Sequence, residues 1–224
     1  MNPRGDSASG RGRGRASRLA AATMLIVVGV VLGLFAHGDR LLWGDARMLE
    51  WMQSLDFAGL REFVAVINAV GGTIGGVIIA VGLIGVGFAA GRRDYAALVA
   101  IILGLRLIGE VLKPTFRSPR PDAAYIRFPD EHAWTTFGYP SGHAFTHACI
   151  AGALLILVLT IDLHPVWRWL ITLLAISLPL LGGFARVWIG AHWPFDTLGG
   201  LLFGGAVVLT ALAIRPMRPC TVDA

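Results

Sequence analysis

The sequence predicts an all-α, polytopic membrane protein: a bundle of six transmembrane helices. Three observations carry that prediction. Hydrophobic residues make up 55% of the 224 and charged residues only 15%. The mean hydropathy of +0.68 is far above that of a water-soluble domain. The apolar residues are gathered into blocks of about 18 or more, the length needed to cross a hydrocarbon core about 30 Å thick.

In chain order, residues 1–18 form a tail rich in Gly, Ser and Arg that cannot bury a core and is expected to be disordered. The membrane domain follows over 19–214, and 215–224 form a second tail. The predicted spans are 19–36, 70–90, 95–112, 143–160, 168–186 and 196–214. A basic tail before an apolar block also describes a signal peptide, but no small-x-small cleavage site follows Ala36, so the block is read as an uncleaved first helix. Between the first two spans, Asp45 to Asn68 mixes charge with Leu49, Met52, Leu55, Phe63 and Ile67, the apolar stripe of an interfacial amphipathic helix.

The formal net charge of +5 does not point to nucleic acid, because the basic residues sit in the tail and at span ends and form no basic face. Arg4, Arg11, Arg13, Arg15, Arg18, Arg92, Arg93, Arg168, Arg215 and Arg218 all fall on one side of a six-span chain, which predicts cytoplasmic termini. The other side holds Lys113, Arg117, Arg120, Arg127 and Arg186. Cations on the outer side require a reason, and an anionic ligand is one. Arg106 and Glu110, four apart, are expected to pair on one helix face. Cys149 lies in an apolar block and Cys220 in the terminal tail, so neither a disulfide nor a metal site is expected from them.

Three polar clusters fall at outer span ends. The first runs from Lys113 to Arg120-Pro121, two cations on a proline-stiffened loop suited to a tetrahedral oxyanion. The second is Pro140-Ser141-Gly142-His143. There Ser141 is a good N-cap, and the helix N-terminus offers unpaired N–H groups to an anion, with Gly142 allowing close approach. The third contains Arg186, His192 and Asp196, the last two four apart at the start of the sixth span. An Asp that accepts one ring proton fixes the His tautomer and frees the other nitrogen. Trp188 and Trp193 read as interfacial belt residues.

Together the clusters resemble the type 2 phosphatidic acid phosphatase superfamily. Its pattern is Lys-(six residues)-Arg-Pro, then Pro-Ser-Gly-His, then Ser-Arg-(five residues)-His-(three residues)-Asp. The resemblance extends over roughly residues 70–214 and departs at Ala185, where the family usually has Ser. It implies His192 as nucleophile, Asp196 as its orienting partner and His143 as general acid. It also implies that Lys113, Arg120, Arg186, Ser141 and the Gly142 N–H bind phosphate. The implied reaction is hydrolysis of a lipid phosphate or polyprenyl pyrophosphate through a phosphohistidine, with no metal or other cofactor; the distribution of basic residues puts the site at the outer face of a cell (inner) membrane.

Other classes fit less well. A transporter would carry charges in mid-membrane, yet the fourth and sixth spans have none in their interiors. A serine hydrolase on Ser141 lacks the Gly-x-Ser-x-Gly elbow. A lipid phosphotransferase using the same site and a non-catalytic lipid-binding protein are the alternatives kept.

Overall fold

A computed structural model describes residues 3–37, 42, 44–127 and 136–217, with the side chains of 3–11 left aside. Arg218 and Cys220, named above, lie outside the described residues. The described residues are helical, with no strand: α1 (Pro3–Ala36), α2 (Asp45–Ser54), α3 (Leu60–Gly71), α4 (Thr73–Ala89), α5 (Arg93–Arg106), α6 (Ile108–Phe116), α7 (Gly142–Thr160), α8 (Pro165–Trp188) and α9 (Pro194–Ile214), with a short 3₁₀ turn at Ala123–Tyr125.

Five helical stretches are long and apolar enough to cross a membrane, and a sixth is reached when the bent pair α3 and α4 is counted as one span. α5 and α6 form one of the five, Arg93–Phe116, interrupted at Leu107. Apolar side chains on these helices, such as Ile74, Ile78 and Leu180, remain uncovered, as faces suited to contact with lipid. In lipid every backbone group must be satisfied within the protein, which is why the crossing segments are helices and irregular backbone is pushed to their ends.

Three features differ from the sequence expectations. α1 begins at Pro3, so residues 3–18 of the tail expected to be disordered are helical. Once a span has nucleated a helix, each added residue gains a hydrogen bond without a new nucleation cost. The stretch 45–68 is two helices. Gly59, at φ 84°, restarts the helical phase, so the buried stripe of α3 is Leu60, Val64, Ile67 and Gly71, and Phe63 is exposed. Trp188 and Trp193 are buried rather than belted at the interface, because α2 and α3 lie over them: Trp188 donates its indole N–H to Leu55 O (3.0 Å), and Trp193 packs with Leu49 and Val187.

α7 is the most covered span and packs against both α8 and α9. The α7–α9 approach depends on small residues. A Cβ on Gly204 would lie 2.6 Å from Ala148 Cβ and 2.8 Å from Phe145 O, and one on Gly200 would drive into the Ser141 carbonyl. α1 packs along α9, with Gly29 and Gly33 receiving the rings of Phe203, Phe116 and Tyr139. The Tyr139 hydroxyl donates to Gly29 O.

At the far end of α7, Arg92 donates to Thr160 O and Arg168 to Val158 O (2.9 Å), so two of the basic residues used to assign orientation also satisfy terminal carbonyls of that helix. Lys113, Gly142, Trp188 and Pro194 all stand at the opposite end of their spans, which brings the three motif clusters to one end of the bundle.

Gly204→Leu is expected to overpack the α7–α9 seam, at a cost of about 1–3 kcal/mol. Gly82→Leu, at a position with nothing within 4 Å, is expected to leave stability unchanged. Thermal unfolding of the two purified variants in one detergent checks the contrast.

Candidate active site

His192 lies between α8 and α9 and is 1% exposed. The local chain explains its placement. α8 ends at Trp188, and Gly190, at φ 72°, turns the backbone sharply in a left-handed conformation that glycine adopts without penalty. The Gly190 N–H donates to Val187 O (2.9 Å) and the Ala191 N–H to Arg186 O (3.1 Å), closing the helix end. α9 then opens with Pro194 in its first turn, where a missing N–H costs nothing.

Asp196, also 1% exposed, sits in that first turn. Its Oδ2 accepts the Trp193 N–H (3.1 Å) and lies 3.3 Å from His192 Nδ1. The other ring nitrogen, Nε2, is 3.3 Å from an Arg120 Nη. A guanidinium only donates, so Nε2 presents its lone pair and Nδ1 carries the ring proton toward the carboxylate. Burial, reinforced by the charges of Arg186, Arg120, Lys113 and His143, holds the His192 pKa well below 6.5, so the ring is neutral near pH 7.

Arg120 is anchored by three further bonds: to Ala191 O (2.6 Å), Thr136 O (2.7 Å) and Thr136 Oγ1 (2.9 Å). Desolvation lowers its pKa below the ordinary guanidinium value. Arg186 is 4% exposed and donates to Asn68 Oδ1 on α3 (3.1 Å). Lys113 stands over the start of α7: a Cβ on Gly142 would lie 3.8 Å from Lys113 Nζ and 3.8 Å from an Arg106 Nη. Ser141 is fully buried as the N-cap of α7, and its Oγ faces the Ala144 N–H at 3.5 Å. The Ser141 N–H donates to Asp196 O (2.9 Å), joining the second and third clusters directly. His143 lies one residue into α7, beside the α3–α4 break; a Cβ on Gly72 would be 3.7 Å from its Nε2.

The structure therefore gathers all eight residues singled out in the sequence at one end of the bundle. It does not gather every outer cation. Arg127 instead bonds Asp56 Oδ2 (2.8 Å) and Gln53 O (3.0 Å), and Arg117 closes α6 at φ 49°. Arg106 pairs with Glu110 (3.2 Å) as expected, and it also reaches Thr146 Oγ1 (3.1 Å) and the Gly142 edge of the site. Ala185 is fully buried among Leu60, Val64, Ile67 and Trp188.

Sequence reasoning missed four contributors. Asn68, Thr136 and Asp45 lie in segments with no motif, and Asp45 is joined to this region across 150 positions through the Phe195 N–H (3.1 Å). Burial pushes the Asp45 carboxyl up to about 6. His147, fully buried one turn below His143, lies between Gly71 and Gly182 and has Nε2 3.2 Å from Ile67 O. Its spacing from His143 was the available signal.

The chain is 30% identical over 132 residues to the undecaprenyl-diphosphatase of Sulfolobus acidocaldarius, covering 57% of this chain and 58% of that protein. It is 30% identical over 125 residues to phosphatidylglycerophosphatase B of Bacillus subtilis, covering 54% and 59%. It is 28% identical over 112 residues to human sphingosine-1-phosphate phosphatase 2, covering 50% and 28%. The chain thus spans less than two thirds of the length of these curated relatives.

In fold it matches the crystal structure of the first transmembrane PAP2 type phosphatidylglycerolphosphate phosphatase from Bacillus subtilis. The TM-score is 0.65 at 23% identity, covering 86% of this chain and 94% of that one. The PAP2 superfamily model matches residues 94–220, more than half of the 224, and the chain belongs to the PAP2 superfamily.

Proposed function

We propose that this protein is a membrane phosphatase that hydrolyses a lipid phosphate or polyprenyl pyrophosphate through a phosphohistidine on His192. The observation that carries the reading is the polarised imidazole: Nδ1 held toward Asp196 Oδ2 and Nε2 turned toward Arg120, both at 3.3 Å. The neutral, buried nitrogen presents its lone pair beside a guanidinium that can hold an oxygen of the phosphoryl group it would attack.

In the first step the Nε2 lone pair forms a bond to phosphorus as the bond to the leaving oxygen breaks. His143 gives its proton to that oxygen, and Asp196 offsets the charge that develops on the His192 ring. In the second step His143 takes a proton from water, which attacks phosphorus; the N–P bond breaks and inorganic phosphate leaves. Lys113, Arg120 and Arg186, with the Gly142 N–H and Ser141 at the start of α7, neutralise the equatorial oxygens. Such electrostatic stabilisation is the main requirement of phosphoryl transfer. The role given to these groups requires no metal.

The names of the relatives, a diphosphatase and phosphatases of lipid monoesters, support a lipid-borne phosphate as the substrate class. The position of the cluster, at the ends of the spans, suits a head group that rises from the hydrocarbon. In the orientation set by the basic residues of the opposite side, the site faces the outer side of the cell (inner) membrane and both termini are cytoplasmic.

His192→Ala is expected to release no phosphate from undecaprenyl pyrophosphate, phosphatidic acid or phosphatidylglycerol phosphate, while keeping the parent's thermal midpoint. Equal turnover by the two proteins would remove His192 as nucleophile. No release by folded parent protein from any of the three would favour a phosphotransferase or a non-catalytic lipid binder.

The low His192 pKa places the acid limb of kcat/KM below the ordinary histidine range. As pH falls through 6.5 the nucleophile stays neutral, so activity is expected to persist; a pH–rate profile that halves near 6.5 with the pKa of His192 would contradict this. Activity is also expected to be unchanged in excess EDTA, and a loss restored by a divalent ion would overturn the metal-free mechanism.

A further inference from the structure

The first turn of α9 carries Asp196, yet its own N-cap residue cannot cap it. Trp193 stands at that position, and an indole N–H is a donor with nothing to offer an orphan amide. The backbone donors there can be followed one at a time. Pro194 has none. The Asp196 N–H reaches Trp193 O (3.0 Å), and the Trp193 N–H reaches Asp196 Oδ2 (3.1 Å). The Phe195 N–H is satisfied from outside the helix, by Asp45 Oδ1 at 3.1 Å.

Asp45 is 3% exposed and opens α2, the amphipathic segment between the first two spans. With Arg120, Ser118, Tyr125 and Asp196 it lines a cavity of about 290 Å³ on the flank of the site.

We propose that Asp45 is a positioning residue: it serves as the N-cap of α9 from a distant part of the chain, and so holds Asp196 behind His192. The geometry makes the link short. Asp196 follows Phe195 directly, and its Oδ2 is shared between the Trp193 N–H and His192 Nδ1. If the first turn of α9 frays, that oxygen loses both partners, and the imidazole loses the group that fixes its tautomer. A segment that reads in the sequence only as an interfacial helix thereby becomes part of the support of the nucleophile. The positioning role rests on the phosphohistidine reading above; the cap does not.

The test uses the full-length protein in detergent, as parent, Asp45→Ala and Asp45→Asn, with hydrogen–deuterium exchange of peptides covering residues 193–200 and phosphate release from phosphatidic acid and undecaprenyl pyrophosphate. Asn keeps the shape and one acceptor oxygen, so it is expected to exchange within about twofold of the parent and to retain most of its kcat. Ala is expected to speed exchange at the Phe195 and Asp196 amides about fivefold, the usual effect of losing a cap. It is also expected to lower kcat about tenfold with KM changed less than threefold, as the loss of a transition-state contact does.

Three outcomes overturn the proposal: parent-like exchange in Asp45→Ala, Asp45→Asn as impaired as Asp45→Ala, or accelerated exchange with kcat unchanged. If Asp45→Ala does not fold, Asp45→Ser takes its place, since it is polar but too short to reach the amide. If the parent releases no phosphate, the phosphatase reading fails while the exchange experiment still decides the cap.

Discussion

The hydrogen bond from the Ser141 N–H to the Asp196 carbonyl is the joint on which the site depends. It ties the start of α7 to the first turn of α9 and so brings together two clusters that the sequence separates by some fifty positions. A buried amide left without a partner is costly, so the pairing fixes the two helix ends against each other and is more than an incidental contact. It exists because Gly200 has no side chain to strike the Ser141 carbonyl, and because Gly204 lets α7 and α9 stay close below it. The aromatic group of Phe116, Tyr139 and Phe203, seated on Gly29 and Gly33 of α1, closes the same seam from outside.

From that joint the electrostatics follow. Lys113 and Arg120, from the first cluster, and Arg186, from the third, are held near one neutral imidazole. Their mutual repulsion and desolvation are unfavourable without an anion, and the protein offsets them with fixed neutral acceptors: Asn68 for Arg186, and Thr136 with the Ala191 carbonyl for Arg120. Acceptors of this kind orient a guanidinium through its fixed fork of N–H donors. Arg127 bonds Asp56 and the Gln53 carbonyl, and so holds its loop to α2.

α2 and α3 have more structural weight than an interfacial helix requires. They cover Trp188 and Trp193, receive Arg186 through Asn68, and send Asp45 to the start of α9. Ala185 lies under α3 among apolar side chains, so the small residue there serves the α3–α8 packing. The burial of Trp188 and the exposure of Phe63 were not legible in the sequence for one reason: both depend on which face of α3 meets α8. That face is set by the restart of the helix at Gly59, a backbone event that side-chain periodicity does not register.

The spans were legible in the sequence to within a few residues at most ends, because the length and apolarity demanded by a bilayer are properties of a contiguous segment. The same holds for the eight candidate residues, whose spacing within each motif is local, and for the Arg106–Glu110 pair, which needs only one helical turn. Tertiary structure alone decided what supports them. Asp45 meets Phe195, Asn68 meets Arg186 and Ser141 meets Asp196 across chain separations that no pattern encodes. Those pairings arise where helix ends without partners of their own must find them among whatever neighbours the packing brings within reach.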